Sequence, residues 1–331
     1  MPPGSPRIWY LVPDHDAPSW GVGLLCHHVR LLREAGLSAF VLHNRSPFRL
    51  SWLDVDVPGR YLSDATLRFE PTDVLVVPEV LAHPARAVPH PLRRVVFVQG
   101  SFLILQGADR AFDYRELGYE AALAVLPHVR EIVAAHYGLT PAVIPPFVAE
   151  YFFSDPADRE RPRRRQVLLV GKPEYLQAGY LDQDIAVKLL TRHFERLSRR
   201  PGHPRWELVV LSGKTHRETA EIMRRAAFLL NFNTLEAFNT TVPEAMAAGC
   251  IPVCYEAYGG RDFLRAGENA FVFPNNHAYP LLERVFDLTE NYEERQAELA
   301  ALRRAAAATA NGYREERTAR ALVDFFRTFC A

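Results

Sequence analysis

The chain has 331 residues, about two domains' worth, of which 48% are apolar and 24% charged. Its 39 basic and 39 acidic side chains cancel to zero, which gives no support for nucleic acid as the main partner. No apolar run reaches the roughly 18 residues of a membrane span, and the N-terminus lacks the charged and apolar regions of a signal peptide, so the expected location is cytoplasmic. Four cysteines, Cys26, Cys250, Cys254 and Cys330, contain no C-x-x-C and are expected to be reduced and buried. Only Lys172, Lys188 and Lys214 are lysines; the other basic residues are Arg.

Arg7 to Val12 (RIWYLV) is a short apolar run stopped by Pro13-Asp14 and reads as a buried strand. A loop holding Gly21 and Gly23 is expected next. From Val22 to Glu34, Leu24, Leu25, His28, Leu31 and Leu32 recur at helical spacing, and Gly36 ends the helix. Ala39–Leu42, Asp73–Val77, Val95–Gln99 and Ala122–Leu126 read as strands, His128–Tyr137 as a helix, and Ala142–Ile144 as a last short strand. Residues 149–166 change texture to acids, prolines and the run Arg161-Pro-Arg-Arg-Arg165. They read as a solvated linker, with peripheral contact to anionic lipid as a second use of the arginines. The alternation then restarts with strand Val167–Gly171, helix Asp184–Leu197, strand Glu207–Gly213, helix Thr215–Ala226, strand Phe228–Phe232, helix Thr241–Ala248 and strand Ile251–Tyr255. Helices over Leu281–Leu288, Glu293–Thr309 and about Arg314–Phe329 complete the chain. Strands alternating with helices imply right-handed crossovers and parallel sheets. The reading is two doubly wound α/β domains, with ligands at the carboxyl ends of their strands. The expected boundaries are 1–148 for the first domain, 149–166 for the linker, 167–311 for the second domain and 312–331 for a terminal helix.

The densest information lies between Asn231 and Gly260, in NFNTLEAFNTTVPEAMAAGCIPVCYEAYGG. A strand ends near Asn233, and a polar loop enters a helix whose first turn holds Thr241, Pro243 and Glu244. Proline suits a first helical turn, where no N–H is needed. Such a helix start offers N–H groups and a positive dipole end to a diphosphate. The spacing Thr241-x-x-Glu244 is also that of a capping box, in which the glutamate folds back onto the Thr241 N–H. If Thr240 is the cap instead, Glu244 can face a ligand.

These residues resemble the glycosyltransferases of the GT-B fold that retain anomeric configuration. Their E-x7-E motif commonly reads E-G-F-G, followed by E-A-M-A-x-G and a strand with P-V. Here Glu236-Ala-Phe-Asn precedes Glu244-Ala-Met-Ala-Ala-Gly249, Pro252-Val253 and Gly259-Gly260. The resemblance is dense in the second half and patchy elsewhere: Tyr137-Gly138 and Val143-Ile144-Pro145 look like the passage out of the first domain, and the Gly21/Gly23 loop resembles a glycine loop near donor and acceptor. It implies two Rossmann-like domains facing a central cleft, with the terminal helix packing back toward the first. The implied reaction moves a hexose-type sugar from a nucleoside-diphosphate sugar to a hydroxyl of a glycan, glycolipid or small natural product, with retention, no metal and no cofactor beyond the donor. Glu236 would bond hydroxyls of the transferred sugar and serve as the catalytic residue. Phe238, Asn239, Thr240 and Thr241 would meet sugar or diphosphate, and Glu244 the ribose. A carboxylate has two acceptor oxygens and can take both hydroxyls of a vicinal diol.

Departures from the family pattern also stand out. Ala237 and Asn239 occupy positions that are usually Gly, where side chains could narrow the sugar pocket. The family's Arg and Lys after the first strand of the second domain become Gly171-Lys172, without the Arg. Lys172 and Lys214, both at strand ends, are the candidate phosphate ligands. Gln99, followed by Gly100-Ser101, stands where many members have a His, so Gln99 and Ser101 are acceptor-side candidates without a proton-accepting imidazole. Phe48, Trp52, Phe102 and Phe112 lie in expected loops of the first domain, where acceptor contact and core packing are alternatives. Asp-x-Asp occurs at Asp14/Asp16, Asp54/Asp56 and Asp182/Asp184, the last more in keeping with acids at a helix start than with a metal site. His27-His28 suits a core or surface role better than a ligand. The alternatives carried forward are a nucleotide-sugar epimerase on the same fold and a non-catalytic nucleotide-sugar-binding protein.

Overall fold

The computed structural model describes residues 6–16, 19–45, 47–83, 85, 92–105, 112–156, 163–171 and 181–331. The chain forms two compact units, Met1–Pro146 with Glu316–Ala331, and Phe147–Glu315.

In the first unit, β1 (Arg7–Leu11), β2 (Ser38–His43), β3 (Gly59–Tyr61), β4 (Val74–Pro78), β5 (Arg93–Val98), β6 (Ala121–Ala124) and β7 (Ala142–Val143) make one sheet. Its order is β3-β2-β1-β4-β5-β6-β7, and every pairing is parallel. The central strands are apolar without alternation because helices cover both faces of a parallel sheet; β4 is buried at every position. The order reverses at β1, so the loops after β1 and β4 open at a topological switch point.

Helix α1 (Trp20–Glu34) buries Leu24, Leu25, His28, Leu31 and Leu32, the face read from the periodicity. His28 belongs to the core. Burial drives its pKa down to about 3, and its Nδ1 lies 3.4 Å from the Tyr10 hydroxyl. The structure corrects one expectation here. Gly21 and Gly23 do not lie in a loop but in the first turns of α1, which starts two residues earlier than expected. Glycine's poor helix propensity hid that start, whereas Ser19 already accepts the Gly23 N–H at 2.9 Å. Helix α2 (Pro127–His136) opens with proline in its first turn.

The second unit holds β8 (Arg164–Val170), β9 (Glu207–Leu211), β10 (Ala226–Asn231), β11 (Ile251–Tyr255) and β12 (Phe271–Phe273) in the order β12-β11-β10-β8-β9. These pairings are also parallel. Its longer described helices are α3 (Leu181–Ser198), α4 (His216–Met223), α5 (Thr241–Ala248), α6 (Ala278–Glu290) and α7 (Gln296–Asn311). In one core layer Trp206 stacks on Phe228, and Tyr292 meets both rings edge-on. Ala245, Met246, Ala247 and Ala248 of α5 pack in the other with Ala306 and Ala310 of α7. The switch point lies between β8 and β10, which puts Gly171 and the loop after Asn231 at neighbouring strand ends.

Helix α8 (Glu315–Cys330) belongs to the first unit from Glu316 on. Thr318 Oγ1 donates to the Pro145 carbonyl at 2.8 Å, Phe326 is fully buried beside Tyr10, and the Arg93 guanidinium lies 4.0 Å from the Phe329 ring centre.

The described end of the arginine run is not a solvated linker. Arg163 is buried and donates to the Arg224 carbonyl. Arg164 begins β8, and Arg165 pairs with Glu293. Arg161 lies outside the described residues. Cys26, Cys250 and Cys254 are buried and unpaired as disulfides, but Cys330 is only partly buried. No described helix is long and apolar enough to cross a membrane.

Candidate functional site

Strand β10 ends at Asn231, and a ladder of asparagines carries the chain from there to α5. The Asn231 side-chain oxygen accepts the Asn233 N–H at 2.9 Å. Asn233 in turn accepts the N–H groups of Leu235 and Glu236, each at 3.0 Å. These are Asx turns, in which a short amide side chain replaces a backbone acceptor. Asn239 closes the ladder: its amide nitrogen donates to Asn231 at 2.9 Å and its oxygen accepts from Asn231 at 3.1 Å, a reciprocal pair buried on both sides. The side chain at the family's glycine position is therefore spent on Asn231. Ala237 is buried too, beneath Gly259, whose N–H donates to the Glu236 carbonyl at 3.2 Å.

The loop delivers Glu236, partly exposed, and then the start of α5. Thr240 occupies the cap position with helical backbone and no side-chain cap bond. Glu244 does not fold back onto Thr241, so the capping box is absent here; the one that forms lies at Thr215 and Glu218, the start of α4. The N–H groups of Val242 and Glu244 donate to Asn239 and Thr240. Those of Phe238, Asn239, Thr240 and Thr241 donate to no acceptor among the described residues, which leaves four donors at a positive helix end. Phe238's ring packs on Phe263 and Tyr313.

Glu244 is 4% exposed. Its Oε1 lies 2.7 Å from His216 Nε2. Burial raises its carboxyl pKa, the His216 bond and charge lower it, and the neighbouring negative charge of Glu236 raises it. The structure thus brings Glu236 and Glu244 within electrostatic reach of each other and adds His216, which the sequence reading missed. Lys214 is exposed, two residues before His216 and after a Gly213 with φ of 62°. Gly171 follows the last residue of β8, and a Cβ there would meet the Val210 side chain at 2.5 Å. Lys172 lies outside the described residues.

In the first unit, the structure brings Gly21 and Gln99 together. A Cβ on Gly21 would stand 2.9 Å from the Gln99 side-chain oxygen, so only glycine lets that amide lie against α1. A Cβ on Gly23 would meet the Trp52 ring at 3.4 Å. Ser101 follows in the turn after Gly100, partly buried. Glu79, at the end of β4, was not singled out from the sequence. It is 2% exposed, and its Oε1 accepts the N–H groups of Gln99 at 2.9 Å and Gly100 at 2.8 Å. Burial raises its pKa to about 7 against the lowering effect of those donors. Phe112 sits between His83 and Tyr114, a packed position, whereas Phe102 is exposed.

Two of the three Asp-x-Asp pairs have structural duties. Asp14 accepts the N–H groups of Asn44 and Arg45, and Asp16 that of Ser51. Asp182 accepts the Tyr255 hydroxyl at 2.6 Å, and Asp184 pairs with Lys188 at 2.6 Å.

The family of glycosyl transferases group 1 matches residues 207–302, which include the whole asparagine ladder, α5 and His216. The sequence matches no curated protein. Several solved structures share the fold. A sucrose-phosphate synthase from Thermosynechococcus elongatus superposes with a TM-score of 0.69 at 12% identity, over 98% of this chain and 99% of its own. Anabaena HepE, in complex with UDP-glucose, gives 0.64 at 13% identity over 97% and 99%. A glycosyltransferase from Rickettsia africae gives 0.63 at 13% over 98% of both chains. Residues 207–302 of the second unit thus resemble glycosyl transferases group 1, and the chain as a whole has two parallel-sheet, Rossmann-like units that match GT-B glycosyltransferase structures in fold.

Proposed function

We propose that the protein transfers a hexose-type sugar from a nucleoside-diphosphate sugar to an acceptor hydroxyl, with retention of configuration and without a metal. The observation that carries the reading is the corner between β10 and α5. There a buried carboxylate, a second carboxylate eight residues before it and four backbone donors lie within the segment that matches glycosyl transferases group 1. A diphosphate needs donors, and a sugar and a ribose need acceptors; the corner supplies both. UDP-glucose in the similarly folded HepE supports a nucleotide sugar as the donor.

In this reading Glu236 accepts hydroxyls of the transferred sugar and Glu244 those of the ribose. Phe238 to Thr241 donate to the diphosphate, with Gly171 allowing close approach and Lys172 and Lys214 adding charge. Gly21 and Gly23, in the first unit, approach the donor, while Gln99 and Ser101 lie on the acceptor side; the acceptor is a glycan, glycolipid or small natural product bearing a hydroxyl. The acceptor oxygen forms its bond to the anomeric carbon as the bond to the diphosphate breaks on the same face, and the departing diphosphate takes the acceptor's proton. The protein's part is positioning and charge stabilisation at the leaving group.

Thermal stabilisation against a panel of nucleoside diphosphates and their sugars identifies the donor. Glu236→Ala should then keep nucleoside-diphosphate affinity and lose transfer by about 100-fold or more. Transfer that survives the substitution removes Glu236 from the site. A new sugar nucleotide formed from donor alone would point to an epimerase, and donor binding without turnover on any acceptor to a binding protein. Lys172→Ala should weaken diphosphate binding more than Lys214→Ala; equal, unchanged affinities by calorimetry remove both.

A further inference from the structure

Glu244 is one end of a hydrogen-bonded chain. His216, the first residue of α4, is 2.7 Å from the Glu244 carboxylate through Nε2 and 2.5 Å from the Tyr151 hydroxyl through Nδ1. Tyr151 is gripped by α4 along its length. The Arg217 guanidinium lies 4.6 Å from its ring centre, and Arg224 donates to its carbonyl. Phe152 packs edge-on against the His216 imidazole at 4.7 Å. The imidazole therefore has its ring plane and both nitrogens defined. Burial and the Glu244 charge push the Tyr151 hydroxyl up to about 12, so it keeps its proton and donates to Nδ1. With Nδ1 accepting, Nε2 carries a ring proton and donates to the carboxylate.

The consequence concerns the second oxygen of Glu244. With Oε1 committed to His216, the carboxylate cannot spin, and Oε2 makes no hydrogen bond among the described residues. We propose that His216, braced by Tyr151, is a positioning residue that fixes the Glu244 carboxylate so that one oxygen is aimed at the ribose hydroxyls of the donor. This rests on the reading of Glu244 as the ribose carboxylate, and it assigns to this protein a Tyr–His–Glu brace drawn from the segment 151–152, the start of α4 and the start of α5.

The test separates the brace from that reading. Calorimetry is run with the tightest binder among UDP, GDP and ADP, and with its 2′-deoxy and 3′-deoxy counterparts. Wild type should bind the ribose form about tenfold more tightly than at least one deoxy form, the scale of a hydrogen bond to a charged group. His216→Ala should lose most of that preference while binding the deoxy form as before. His216→Gln, whose amide can still donate to Glu244, should recover it, and Tyr151→Phe should show a partial loss. If wild type discriminates and His216→Ala discriminates equally, the brace is overturned and the ribose role of Glu244 stands. If wild type itself does not discriminate, or no nucleoside diphosphate binds, the ribose reading fails and the brace with it. Far-UV circular dichroism confirms that each variant is folded; since His216 is 36% exposed, its replacement leaves no buried cavity.

Discussion

The Ala237 carbonyl oxygen occupies the space in which a Cβ on Gly259 would lie: the two would be 1.5 Å apart, and the carbonyl carbon 2.4 Å away. Two chain segments thus touch backbone to backbone directly behind Glu236. Any side chain at 259 must push the Glu236 loop outward. Gly259→Ala should lower thermal stability by about 1–3 kcal/mol, the usual cost of forced overpacking, and reduce transfer more than it reduces nucleoside-diphosphate affinity. Gly260→Ala provides the contrast. Its Cβ would meet the tip of the Leu264 side chain at 2.6 Å, which can rotate away, so both effects should be smaller. Equal effects from the two substitutions would show that the backbone contact does not hold the loop.

The reciprocal amide pair of Asn231 and Asn239 predicts a coupling. Replacing either by Ala strands a buried amide and should cost about 1–3 kcal/mol. The double replacement should cost less than the sum, because the second removal takes away a group already unpaired. Urea unfolding of the four proteins gives the cycle. Strict additivity would mean that the two amides stabilise the loop independently.

Glu79 predicts a pH dependence of stability with a definite sign. Its folded pKa of about 7 lies above the ordinary 4.5, so the folded protein holds the proton more tightly than the unfolded chain. Stability from this group is greatest below pH 4.5 and falls as pH rises towards 7. Glu79→Gln keeps an oxygen for the Gln99 and Gly100 N–H groups and removes the buried charge. The variant should gain stability over wild type above pH 7, by about 3 kcal/mol at most, and the gain should vanish near pH 4. Glu79→Ala should lose stability at every pH, since two backbone donors lose their acceptor. Denaturation midpoints between pH 4 and pH 8.5 check both; a Gln variant whose difference from wild type is flat with pH contradicts the shift.

The cysteines predict a simple titration. Burial pushes the thiols of Cys26, Cys250 and Cys254 up to about 12, so none presents a thiolate near neutral pH. A thiol reagent should modify Cys330 alone in the folded protein, slowly, and all four in urea. Rapid modification of a second site under native conditions would reveal an opening at α1, around Cys26, or at β11, around Cys250 and Cys254.

Much of the fold was legible because parallel strands buried on both faces leave unbroken apolar runs, and because α1 and α8 each carry a wet and a dry face. β3 and β12 escaped notice: three residues at the edge of a sheet are too few to show a pattern. The Glu236–Glu244 spacing was readable within one continuous segment. The partners of Glu244 were not, because Tyr151 and His216 reach it from 93 and 28 positions away, and a histidine at the start of an exposed helix carries no local mark. Glu79 escaped for the same reason, since its duty is to backbone groups 20 and 21 residues on. Asn231 and Asn233 did carry a signal, an N-x-N at a strand end, which Asx-turn chemistry makes interpretable.

The sheet of the first unit starts at Arg7, yet Phe326, sealed beside Tyr10, arrives only after the whole of the second unit. A ribosome emits Phe147–Glu315 complete while the preceding 146 residues still lack their closing helix. The usual order of synthesis, in which the leading domain matures first, is therefore inverted. The second unit can reach its native core during translation, and the first must wait, with an uncovered apolar face, until residues 316–331 have emerged.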